Sequence, residues 1–110
     1  FQIRFSGATD YQHVGDCAAA FVAAADRGPA GAAVYNLHGE SVDMDRVREL
    51  IVRFGPTGTA ERISVDGPVL PIPPALDAAA IAGALGELPR ISLEDGVRLT
   101  MEHFARLESR

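Results

Sequence analysis

The chain has 110 residues, room for one domain at most, with a formal net charge of −5 and no basic stretch, which argues against nucleic acid as a partner. No apolar run approaches the roughly 18–20 residues that would span a bilayer, so no membrane partner is expected. Trp is absent and aromatics make up 6% of the residues, so the core is expected to be built from Ala, Val, Leu and Ile in close helix-on-sheet packing. The single Cys17 cannot form an internal disulfide. That suits a cytoplasmic protein, and its simplest reading is a small buried helix residue. The chain opens on Phe1, not Met, in what reads as the middle of an element, so it is expected to be a fragment of something longer.

Phe1, Ile3 and Phe5 alternate with Gln2 and Arg4, which predicts a half-buried strand over 1–5, ended by Ser6-Gly7. Residues 8–12 read as a loop feeding a short strand that ends at Val14. Gly15 is expected to turn the backbone sharply, and Asp16 to cap a helix over 17–26, where a carboxylate meets free amides and the positive end of the dipole. Ala18, Phe21, Val22 and Ala25 share a face of that helix, and Gly28-Pro29 stops it. The continuous run 32–37 predicts a strand buried on both faces of a parallel sheet, with Asn36 a structural residue whose amide needs partners.

The second helix is predicted over 44–54. Asp43 caps it, Met44, Val47, Leu50, Ile51 and Phe54 form its apolar stripe, Arg46, Arg48 and Arg53 take the wet face, and Gly55-Pro56 closes it. A short strand follows over 62–65. Four prolines between 66 and 75 exclude a central strand there. Asp77 is expected to cap a helix over 78–85. Ser92 with Asp95 resembles a capping box opening a last helix to about residue 107, with Val97, Thr100, Met101, Phe104 and Leu107 inward. The expected architecture is an incomplete α/β unit of about four short strands and four helices, paired in parallel.

The segment Tyr11-Gln12-His13-Val14-Gly15-Asp16-Cys17-Ala18 resembles the hydrophobic-His-Val-x-Asp-x-Ala segment of the extended short-chain dehydrogenases, the NAD-dependent epimerase/dehydratase family. Later segments resemble the same family in the same order. They are Tyr35-Asn36-Leu37 with Gly39, Ser41-Val42 before an amphipathic helix, Asp77 opening a short helix, Leu85-Gly86-Glu87-Leu88-Pro89, and Leu93-Glu94-Asp95-Gly96. The resemblance covers nearly the whole chain but only the C-terminal part of the family's enzyme.

The resemblance implies a C-terminal substrate-binding lobe plus the last strand or strands of a Rossmann-type parallel sheet. It implies NAD or NADP held mainly by an absent N-terminal part, and a sugar, nucleotide sugar or sugar-like alcohol as substrate. The family's glycine-rich fingerprint and its Tyr-x-x-x-Lys pair do not occur here, and the chain has no Lys at all. No catalytic residue is therefore assigned to this chain, and the redox step is not expected of it alone. Sugar-nucleotide members often place a phosphate-holding Arg where this chain has Thr9, and a second one where it has the cation-free stretch from Gly67 to Pro73. Both losses weaken a diphosphate assignment.

The resemblance places the first strand and the following loop beside the substrate, which makes Gln2, Arg4, Tyr11, Gln12 and His13 the substrate-contact candidates. Arg4 is the only cation in the first 26 residues. His13 and Asp16 look like a dyad, but no nucleophile is placed with them, and Asp16 reads first as a structural cap. His38 and Glu40 follow a predicted strand end, where α/β folds bind ligands, though a solvated loop explains them as simply. His103 reads as surface. His13, His38, His103 and Cys17 show no metal spacing. A helix as bare as 17–26 expects two covered faces, so self-association or a homodimer is expected of this chain. Two alternatives are a stand-alone, non-catalytic α/β module pairing through the edge of the 34–37 strand, and a family member that has lost catalysis and kept a sensing role.

Overall fold

The computed structural model describes residues 1–109. In chain order its elements are β1 Gln2–Ile3, β2 Ala8–Tyr11, α1 Val14–Arg27, β3 Glu40–Asp43, α2 Met44–Phe54, β4 Ser64–Val65, α3 Ala79–Leu85 and α4 Leu93–Glu108. The number and order of strands and helices agree with the α/β expectation, but the pairing is mixed. β1 lies parallel to β4, Gln2 opposite Ser64 and Ile3 opposite Val65. β2 lies antiparallel to β3, from Ala8 opposite Asp43 to Tyr11 opposite Glu40.

The helices form where their sequences dictate. The Asp43 carboxylate accepts from the Asp45 amide at 3.0 Å and opens α2. From it Met44, Val47 and Leu50 are buried, Leu50 to 1% exposure. Arg48 does not stay on the wet face. Its guanidinium donates to the carbonyls of Ala60 and Ile63, both at 2.9 Å, and so holds the turn that leads into β4. α4 starts at Ser92, whose hydroxyl oxygen accepts from the Asp95 amide at 3.1 Å. Arg46 and Arg53 reach across to Glu94 at 3.5 and 2.9 Å. These exposed pairs set the orientation of α2 on α4 and add at most about 1 kcal/mol each. A second centre joins Ala23 of α1 to Ile81 and Leu85 of α3, with Tyr35, Leu37 and Leu88 against it.

Several expectations are corrected. β1 is two residues long, because its partner β4 offers only two, and Phe1 is left exposed. Residues 8–11 are a strand, not a loop, made so by β3 from 32 residues away at its centre, where Thr9 and Val42 are opposed at 33 and Asp10 and Ser41 at 31. α1 begins at Val14 and takes in Gly15, and its cap is His13, not Asp16. The His13 Nδ1 accepts from the Gly15 amide at 3.0 Å. Asp16 sits inside the first turn, where its charge still suits the dipole.

The largest correction concerns 32–37, which forms no strand and pairs with nothing among the described residues. Val34 and Asn36 are exposed, so the Asn36 amide faces no burial that would demand partners. An apolar run becomes a strand only where neighbouring strands receive its amides and carbonyls, and here none does. α3 starts at Ala79, one residue later than expected, with the Asp77 carboxylate accepting from the Ala79 amide at 2.8 Å. α4 also departs, since Thr100, Phe104 and Leu107 are exposed, not inward.

Candidate functional site

The junction between β2 and α1 is held against the entry to α4 by a set of polar contacts that all use backbone groups. Gly39 is at its centre. Its amide donates to the Asp10 carboxylate at 2.6 Å, and its carbonyl accepts from the Arg90 guanidinium. The Gln12 amide donates to the Leu37 carbonyl at 2.6 Å. From the α4 side, the Ile91 amide donates to the Asp16 carboxylate at 2.8 Å and the Leu93 amide to the Glu40 carboxylate at 3.2 Å. Short turns leave such amides without helix or sheet partners, and carboxylates are the strong acceptors for them.

That frame shapes a groove of about 400 Å³. Tyr11, Gln12, His13 and Val14 form one wall, and Ile91, Ser92 and Leu93 its end. Gly96, Val97, Thr100 and Met101 on α4, with Ile51 on α2, form the other wall. A β-carbon at Gly96 would meet the His13 ring at 3.4 Å, ordinary van der Waals contact, so α4 and His13 lie close together along this wall. A second cavity of about 360 Å³, lined in part by Asp16, lies between the 37–38 segment, α3 and residues 86–90. A third, of about 270 Å³, is edged by Glu40, Arg46, Glu94 and Asp95.

Of the residues expected to contact substrate, Tyr11, Gln12 and His13 come together along the first groove. Gln2 and Arg4 line none of these three cavities. Gln2 is exposed and donates to the Asp66 carboxylate at 3.4 Å, and the exposed Arg4 follows β1. His13 and Asp16 do not form a dyad, since each spends its acceptor on a different backbone amide. His38 lines the second cavity with Asp16 and Arg90, and Glu40 is committed to Leu93. Thr9 is buried in β2, and its hydroxyl has no hydrogen-bond partner among the described residues. Sequence reasoning missed Asp10, Gly39 and Arg90. Only Gly39, placed just after the apolar run, carried a signal of close backbone approach. No group of His, Cys, Asp or Glu with metal-holding geometry occurs among the described residues.

No family model matches the chain, and no curated protein matches it. Among solved structures it is similar to the UDP-glucuronic acid 4-epimerase of Bacillus cereus, crystallised in complex with NAD, with a TM-score of 0.72 and 16% sequence identity. The likeness covers 97% of this chain and 34% of that enzyme, so the chain spans about a third of the length of the structure it matches. At that identity the likeness establishes the fold.

The described residues do not fit the pyrophosphate of a dinucleotide. That group needs a glycine-rich turn and a helix N-terminus free of negative charge. α1 carries Asp16 in its first turn, α2 carries Asp45, and α4 carries Glu94 and Asp95. Each of these three positive helix ends is already matched by a carboxylate that would repel phosphate.

Proposed function

We propose that this chain is the substrate-side, C-terminal portion of an NAD(P)-dependent epimerase, dehydratase or dehydrogenase acting on a sugar, a nucleotide sugar or a sugar-like alcohol. One coincidence carries the reading. Six ordered sequence segments resemble that family, and independently the fold over 97% of the chain is like a third of an NAD-bound nucleotide-sugar epimerase. NAD or NADP is then held mainly by residues outside this chain, in keeping with helix ends that repel phosphate. Tyr11, Gln12 and His13, with Gln2 and Arg4 nearer β1, orient the substrate, and none of them moves the proton. The location is cytoplasmic.

The same reading expects the chain to associate with itself. Val14, Phe21 and Val22 lie exposed on one face of α1, a face that a nucleotide-binding part would otherwise cover. The alternative of a stand-alone module pairing through a sheet edge is not favoured. The 34–37 segment on which it depended forms no strand.

The test is to read the residues encoded upstream of Phe1 and to titrate NAD and NADP calorimetrically into the complete protein. The expected result is a glycine-rich fingerprint after a strand, a Tyr-x-x-x-Lys pair, and saturable binding of one of the two cofactors. A gene that encodes these residues alone, or a complete protein that binds neither cofactor, overturns the reading.

A further inference from the structure

The groove between the β2–α1 junction and α4 differs from the other two cavities in one respect that bears on substrate class. Its walls contain no Asp, Glu, Lys or Arg, whereas the second cavity carries Asp16, Glu87 and Arg90 and the third is edged by Arg46 and three acids. We propose that this groove seats an uncharged, predominantly apolar group of the substrate, an alkyl or aryl substituent on an alcohol or ketone, and does not admit a nucleotide diphosphate. The proposal rests on the reading of the chain as the substrate-side portion of an oxidoreductase or epimerase and, within it, favours an alcohol bearing an apolar substituent, or its ketone, over a nucleotide sugar.

Most of the polar side-chain groups in the walls are already engaged. The Gln12 amide donates to the Leu37 carbonyl, and the His13 Nδ1 accepts from the Gly15 amide. The Thr100 hydroxyl donates to the Gly96 carbonyl at 2.8 Å, the Ser92 hydroxyl to the Asp95 carboxylate at 3.1 Å, and the Tyr11 hydroxyl points to the Met44 sulfur at 3.8 Å. A diphosphate or a ring of sugar hydroxyls entering here would shed water and find few partners, a net loss. An apolar group sheds water at a gain, against Val97, Met101, Ile51 and Ile91. The volume is that of a small-molecule site, not of a protein-sized contact.

Of the side-chain atoms in the walls, the His13 Nε2 and the Gln12 Oε1 enter none of these hydrogen bonds. They are adjacent in the chain, at the β2–α1 end. The hydroxyl or carbonyl of the substrate therefore lies at that end, and its apolar group lies along α4.

The experiment is a methyl NMR titration of the complete protein labelled at the methionine methyls, with the Met101 signal assigned by its loss in Met101→Leu. The probes are 4-phenylbutan-2-one and, separately, UDP-glucose. The ketone is expected to shift Met101 saturably and UDP-glucose to leave it in place. Val97→Asp is expected to weaken the ketone roughly tenfold or more, because a carboxylate in that wall has no partner. An unmoved signal from the buried Met44 shows that the variant remains folded. Thr100→Val is expected to bind the ketone at least as tightly as the parent.

Three results overturn the proposal: UDP-glucose moving Met101 in preference to the ketone, neither probe moving it, or Met101 moving on dilution as copies of the chain separate. NAD titrated into the same sample keeps the two readings apart. Cofactor binding without ketone binding removes only the groove assignment. Ketone binding without cofactor binding leaves an apolar site in a protein that is not this enzyme.

Discussion

Gly39 is where three stretches of the chain touch, and its constraint is space. A β-carbon there would lie 1.7 Å from the Tyr11 carbonyl oxygen, a backbone atom that cannot step aside without moving β2. Gly39→Ala is therefore expected to cost about 3 kcal/mol, at the upper end of overpacking, read as a lower urea midpoint at unchanged slope. Gly83, within α3, has nothing within 4 Å of its would-be β-carbon, so Gly83→Ala is expected to raise stability by about 0.5–1 kcal/mol in the same assay. Asp16→Ala removes the acceptor for the Ile91 amide and is expected to cost about 2 kcal/mol, with Asp16→Asn costing less because it keeps an acceptor. At this scale the sequence is only partly legible. Asp16 was readable as an acceptor for free amides, but the amide it serves lies 75 residues away, and no local rule points there. His13 took the capping role because the helix begins two residues before Asp16, with Gly15 tolerated inside it.

Among the elements, α2 and the start of α4 were the most legible, since caps are local signals that tertiary contacts left in force, whereas the apolar spacing of α4 failed at Thr100, Phe104 and Leu107, which are exposed. The strands were the least. β1 and β4 are two residues each, and β2 reads Ala-Thr-Asp-Tyr, which no propensity would single out. Each is defined by its partner. The first turn of α4 also makes a prediction about pH. Hydrogen bonds from Arg98, then Ser92, hold the Asp95 carboxyl below its ordinary value of 3.8. The unfolded chain then binds that proton more readily than the folded one. The stabilisation is fully present above the ordinary carboxylate value and is lost as the pH falls through the lower folded value. Carboxyl NMR is expected to place the Asp95 midpoint below 3.8 and to return it towards that value in Arg98→Ala. Asp95→Asn is expected to flatten the acid limb of stability below about pH 4. A midpoint unmoved by Arg98→Ala would mean that the pair seen at 3.1 Å does not persist in solution.

The whole molecule is flat, with principal extents of 51, 37 and 17 Å. A body so thin buries little, and its apolar helix face shows what is left over. Val14, Ala18, Phe21, Val22 and Ala25 recur at helical spacing and all are exposed, Phe21 at 75%. Beyond α1, the 28–38 segment leaves Val34 98% exposed while Tyr35 and Leu37 pack on the α1–α3 centre. The stripe and the run were both legible as apolar. Which surface covers them was not, because a pattern within one chain states that a face is to be buried and does not state by what. Exposed together, they favour association, since burying them against a second copy removes apolar surface from water. Sedimentation of the 110-residue chain is expected to show mass rising with concentration. Phe21→Glu with Val22→Glu is expected to return it to a monomer while leaving helix content unchanged, because both side chains face solvent in the single chain. If the unaltered chain stays monomeric at high concentration, the stripe does not drive association. If the double variant loses its helix signal as well, the stripe is doing structural work inside the monomer, contrary to its exposure.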